Sequence, residues 1–355
     1  MVFSGLCSFC KRHKWKLATV SIVCTGGYVG YKCLRGWLEK YRDEQTTAQM
    51  ESLRMLQSFE TNMSTCNNMI ISLLQEVRSA VNEQLNSKKI TASLKSKPTN
   101  KVELWNELKI ISFAQYLVVG YACSMLVVFL RVQMSILGGV MCHNNDSEID
   151  PVISEDTEKK FLSIAQYNVT KGIAKFIEVA KRVVVSETDR YSLKHSLSHN
   201  ELCGLLGTLQ KQLLTSLLTI VDSSSSDDEQ DMTPLINFMI DKDKATTTPT
   251  AEPQYQMLMD VTLDILESKE CQYILKHTIN GSFSQLSSIM TNGFLSASQS
   301  LSTANVPVAR VIPLLSDVAH SVLGDNVVES YMVQELLSHN QLRLLSYNIF
   351  EAVAN

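Results

Sequence analysis

Between residues 42 and 86 the apolar positions fall at Leu53, Leu56, Phe59, Met63, Cys66, Ile70, Leu73, Val77, Val81 and Leu85, in steps of three and four. No proline or glycine interrupts them, so the spacing predicts one long amphipathic helix with its stripe toward a core. Heptad regularity is imperfect and flanking charges are sparse, which favours a bundle element over a coiled-coil stalk. Pro98 then breaks the chain. Asn100 with Glu103 reads as an N-cap and its capping-box partner, and Leu104, Leu108 and Ile111 recur at helical spacing. Trp105 falls out of step, on the side of Lys101, Lys109 and Ser112 that should meet water. Two readings stand for it: an aromatic anchor for another protein, or a side chain folded under a neighbouring loop.

Residues 110–130 carry no charge and are dense in Val, Leu and Phe. By length they suit a membrane span; a core helix buried on every side gives the same pattern. Helical spacing continues through Arg131 into Val132, Met134 and Leu137. A polar stretch at 142–158 with Pro151 predicts a loop. Helices are predicted over 161–185, 193–221, 257–277, 283–301, 307–323 and 328–353. Pro307 suits the first turn of its helix, and Pro313 is expected to kink it. The segment 223–253 joins a Ser/Asp-rich run and a Thr/Pro-rich run around a short apolar piece at 234–240. It reads as a disordered acidic surface insertion, dispensable for the fold.

At the amino terminus, Lys11, Arg12, Lys14 and Lys16 precede an uncharged run from 17 to 31, with Lys32 and Arg35 beyond. With Lys16 and Lys32 snorkelling, residues 17–34 form a membrane anchor bordered by Trp15, Tyr28, Tyr31 and Trp37. A cleaved signal is the competing reading, but no small-residue cleavage site leads into a polar mature start. An interfacial helix is the third, against which the run lacks a polar face. Four basic residues flank each side, so charge gives no orientation. The organisation expected is a basic targeting segment at 1–16, an anchor at 17–34 and an all-helical domain from 42 to 355.

The net charge of −4 argues against a nucleic-acid partner. Nine scattered cysteines suit reduced thiols better than a disulfide framework. Cys7 and Cys10 form a lone CxxC, weak as a metal or redox site. His195 and His199 stand four apart, but no acidic third ligand lies nearby, and solvated or locally bonded rings are the plainer reading. There is no phosphate-binding glycine loop, nucleophile elbow or HExxH motif, so neither enzyme chemistry nor a cofactor is expected.

The stretch 100–113, Asn-Lys-Val-Glu-Leu-Trp-Asn-Glu-Leu-Lys-Ile-Ile-Ser-Phe, resembles the corresponding segment of the peroxin-3 family. So, in order, do Lys11-Arg12-His13-Lys14, the run 125–133 with Gly138 and Gly139, the segment 192–198, and Val-Pro-Val-Ala-Arg-Val-Ile-Pro at 306–313. Residues 220–253 fit poorly. The resemblance implies an elongated all-α bundle on a single anchor in the peroxisomal membrane, with the bulk of the chain in the cytosol. It implies a receptor that docks peroxin-19, with 110–130 as a buried helix. Carried over by position, Leu94, Lys101, Trp105, Leu108, Met141, Pro307 and Arg310 would line a groove for an amphipathic partner helix, and Lys11, Arg12, His13 and Lys14 would serve targeting. Arg310 replaces a usual lysine, and Ser93 and Met141 stand where other apolar residues are found. The rival readings are a multi-span transporter using both apolar runs, and a single-pass enzyme of unrecognised type.

Overall fold

The computed structural model describes residues 2–96, 99–146, 153–220, 232–241, 253–301, 305–324 and 330–354. The chain divides into two compact units, Met1–Ser58 and Phe59–Asn355. The first is helical throughout, as part of α1 (Val2–Gln84). Its side chains up to residue 31 lie outside the described part, and with them Cys7, Cys10, the basic cluster at 11–14 and most of the expected anchor. Farther along, Trp37 stacks on Tyr41 at 5.6 Å between ring centroids, and Arg35 Nε pairs with Glu39 at 2.9 Å. Leu53 and Leu56, expected in the core, are 60% and 45% exposed. The apolar spacing is right for a helix, but burial on that stripe begins only at Phe59.

The second unit is built around α3 (Lys101–Asp146). Every described position from 111 to 137 is buried. This is the one stretch among the described residues long and apolar enough to cross a membrane, and its apolar window is wholly covered by protein. It is therefore the core helix, and the lipid-facing reading of 110–130 fails. The covering elements are the end of α1, α2 (Ser87–Lys95), α4 (Glu155–Leu162), α5 (Ile164–Tyr167), α6 (Ile173–Thr188), α7 (His199–Ile220), α8 (Thr233–Met239), α9 (Pro253–Glu267), α10 (Lys269–Leu301), α11 (Val308–Val322), α12 (Tyr331–Leu337) and α13 (Asn340–Ala354). Among the elements after α1, α13 and α11 pack most broadly on α3.

Several polar groups carried into this core bond to backbone or to one another. Gln115 Nε2 donates to Leu85 O at 2.6 Å, and Ser124 Oγ meets Ser282 Oγ at 2.8 Å. Arg131, 2% exposed, pairs with no carboxylate among the described residues; it donates to Asn67 Oδ1 at 2.7 Å and to Leu337 O, the end of α12, at 2.9 Å. A cation at a helix carboxyl end is favoured by the exposed carbonyls there. Gly139 lets α13 close in: a Cβ would lie 2.8 Å from Phe350 O.

Several boundaries differ from expectation. Helix α3 runs on to Asp146, inside the expected loop. The 161–185 stretch starts at Glu155 as α4, breaks at Ser163 and passes through a π-turn, Asn168–Gly172, before α6. Residues 193–198 are not helical; β1 (Ser196–Ser198) pairs antiparallel with β2 (Asn305–Pro307). Ser198 and Glu201 explain the late start of α7: Ser198 N donates to Glu201 Oε2 at 2.7 Å and Glu201 N donates to Ser198 Oγ at 3.3 Å, the reciprocal bonding of a capping box. The expected gap between 277 and 283 is closed within the continuous α10, and the break falls at Ser268 instead. Helix α11 continues through Pro313.

The expected insertion needs the largest correction. Met232, Leu235, Ile236, Phe238, Met239 and Ile240 are all buried. A Cβ at Gly172 would lie 1.9 Å from Phe238 O, so the π-turn and this piece fit backbone to side-chain-free backbone. The piece 232–240 is part of the core. What remains of the insertion reading concerns 221–231 and 242–252, outside the described residues.

Candidate docking face

Three elements carry six of the seven residues picked from the sequence. Helix α2 is capped by Asn86, whose Oδ1 accepts Lys89 N–H at 2.8 Å. It buries Ile90, leaves Leu94 half-buried against the core and exposes Lys88, Lys89 and Lys95. Helix α3 begins after Asn100, whose carbonyl accepts Leu104 N–H at 3.2 Å; Pro98 itself is outside the described residues. Lys101 is exposed, Trp105 is half-buried and packs on the core, and Leu108 is 6% exposed. Helix α11 follows Pro307, which is extended at φ −64° and ψ 144°, and displays Arg310 in its first turn. Helices α2 and α11 both pack on α3. They also meet each other, Ser87 Oγ lying 3.2 Å from Ser316 Oγ.

Met141 does not belong with the other six. It stands thirty-six residues beyond Trp105 on the same helix, which at about 1.5 Å per residue is about 54 Å away. The expectation that all seven line one groove fails on that distance. The polar face assigned to Trp105 also changes. Lys109 is 6% exposed and Ser112 is fully buried. Lys109 Nζ donates to Thr188 O at 2.9 Å and to Tyr191 O at 3.0 Å, so its charge is spent on the end of α6 rather than on water. Burial lowers its pKa, opposed by the nearby Asp189 carboxylate. Nothing in local periodicity signals this, because both acceptors lie about eighty positions further along the chain.

Beside Lys109 opens a cavity of about 500 Å³, lined by Val102, Asn106, Ile110, Val185, Leu193 and Lys194 among others. It adjoins α3 on a different side from Lys101 and Trp105, about a quarter-turn round by the 100° step per residue. The face as a whole mixes a half-sunk indole with exposed lysines and an arginine.

The remaining chemistry is local. His195 sits in the extended stretch and His199 opens α7, where its Nε2 lies 2.9 Å from Thr291 Oγ1. No group of three or more His, Cys, Asp or Glu side chains is placed to hold a metal among the described residues. Burial pushes the thiols of Cys66, Cys123 and Cys271 up to about 11, 12 and 12, which keeps them protonated and unreactive.

The described residues define an all-helical protein built around one buried helix. The sequence model of the peroxin-3 family matches residues 95–139 and 143–352. Peroxisomal biogenesis factor 3 of Rattus norvegicus and that of Homo sapiens are each 31% identical to it, over 97% of this chain and 96% of theirs. Peroxisome biogenesis protein 3-1 of Arabidopsis thaliana is 23% identical over 73% of this chain and 76% of its own. The chain belongs to the peroxin-3 family, and its role lies in peroxisome biogenesis.

Proposed function

We propose that this chain is a docking receptor of the peroxisomal membrane that binds peroxin-19 loaded with newly made membrane proteins. The observation that carries the reading is Trp105, half-buried in the first turns of α3, with Lys101 exposed on the same helix and Arg310 exposed on α11, which also packs on α3. An amphipathic helix laid across them would cover the indole and place its acidic residues against the basic ones. Leu94, Leu108 and Pro307 supply the apolar floor and wall. Residues 17–34 hold the chain in the bilayer, and residues 11–14 act in its targeting.

The test is a titration of the full chain in lipid nanodiscs with a labelled peptide of the amino-terminal helix of peroxin-19. Saturable binding that Trp105→Ala weakens by roughly thirty-fold, about 2 kcal/mol, supports the reading. Equal binding by both proteins refutes it. Alkaline carbonate extraction of the full chain, and of one lacking residues 1–40, checks the anchor: only the full chain should stay with the membrane.

A further inference from the structure

Two elements of the docking face are joined by a backbone relay that starts at Lys109. This lysine follows Leu108 on α3, and its Nζ donates to Thr188 O and Tyr191 O. Thr188 O also accepts Tyr191 N–H at 3.0 Å, so one cation and one amide close the turn after α6. Two and four residues on, the same stretch of chain presents two carbonyls to α11. Leu193 O accepts Ala309 N–H at 3.1 Å and His195 O accepts Val308 N–H at 2.9 Å. No side chain caps α11, so these two carbonyls take the amides that a helix amino terminus otherwise leaves open. The β1–β2 pairing, Leu197 opposite Val306, continues the register outward. Arg310 is the next residue after the two capped amides.

We propose that Lys109 is a positioning residue of the docking face, holding the 188–195 segment so that its carbonyls fix the start of α11 and with it the place of Arg310 relative to Trp105. The inference rests on the docking reading above. Lys109 touches no partner in this scheme and acts through the backbone alone. The burial of its charge fits that role, since a lysine kept only for solubility would not be desolvated.

The experiment is a double-mutant cycle on the full chain in nanodiscs, using the same labelled peptide. Arg310→Ala alone should weaken binding about threefold, as an exposed charge does. Lys109→Met should weaken it by a similar or larger factor and abolish the further effect of Arg310→Ala, because the arginine is already misplaced. Hydrogen exchange should quicken about tenfold at the amides of Val308 and Ala309. A second route to the same end is Val308→Pro, which removes the amide given to His195 O. Proline is tolerated at a first helical position, and the preceding residue already has the extended ψ that proline requires. It should reproduce the loss of coupling even if Lys109→Met fails to fold. Additive effects of Arg310→Ala in the wild-type and both altered backgrounds would overturn the proposal while leaving the docking reading intact. A wild-type chain that does not bind the peptide at all would overturn both.

Discussion

The first three turns of α3 and its middle belong to one helix and meet opposite surroundings. From 111 to 137 the sides are covered all round, and the residues that matter are Phe113, Leu126 and Phe129, fully packed. From 101 to 110 the helix has three environments: solvent at Lys101 and Glu107, core at Leu108, and an intermediate one at Trp105. The middle teaches that an apolar run flanked by Lys109 and Arg131 can be satisfied by protein as well as by lipid. The start teaches that a face can be neither core nor surface, with Leu104, Trp105 and Ile110 all partly covered.

The comparison breaks most visibly under truncation of the middle. Phe129→Ala should cost about 3–5 kcal/mol of stability, from lost contact and a cavity the close packing cannot refill, read from denaturant melts. A loss near zero would mean that the middle is not close-packed. Trp105→Ala sharpens the contrast. Its half-buried ring should cost about 2 kcal/mol in the same melts, below the cost for a fully buried aromatic, and about 2 kcal/mol in peptide affinity. A stability loss as large as that of Phe129→Ala would make Trp105 an ordinary core residue. Lys101→Ala should leave the melts unchanged and lower affinity by at most about 1 kcal/mol, an effect that salt removes.

A smaller effect concerns the helices that wrap the middle. His339 Nδ1 accepts Leu342 N–H at 3.3 Å at the start of α13, and its Nε2 lies 3.1 Å from His277 Nδ1. Burial first, and the neighbouring His277 second, lower the His339 pKa below its usual 6.5, with Glu335 opposing. A group with a depressed folded pKa that must be neutral to cap gives its full stabilisation above 6.5 and loses it as pH falls through the folded value. The melting temperature should therefore drop between pH 7 and 5, and His339→Gln should flatten that drop. Identical profiles would refute the assignment. The smallest effect expected is that of Met141→Ala, which should leave peptide affinity unchanged because it lies at the other end of α3.

Much of this fold was legible in the chain because it is local. The stripe from Phe59 to Leu85 and the uncharged run at 110–130 both announce helices, and resemblance chose between lipid and core for the second. What was not legible depends on distant partners. Lys109 reads as a solvent-facing charge until the 188–191 turn is placed over it. The piece 232–240 reads as filler because its flanks are polar, whereas its partner is the side-chain-free backbone at Gly172. Leu53 and Leu56 carry the same spacing as Phe59, and spacing does not tell whether an element covers them. The pairing of Ser198 with Glu201 is different: Ser-x-x-Glu stood in the sequence and marks the true start of α7. As for the candidate face, six of its residues were proposed from the sequence, and the length of α3 sets Met141 apart from Trp105.

The order in which the core is assembled has a cost during synthesis. Helix α3 leaves the ribosome long before α13, which packs on it more broadly than any other element after α1. Roughly two hundred residues separate Leu137 from Asn340, and at about 5–20 residues per second their translation takes on the order of 10–40 s. For that interval a stretch apolar enough to enter a bilayer stands without its final cover. A stop codon just before residue 340 would leave that exposure permanent.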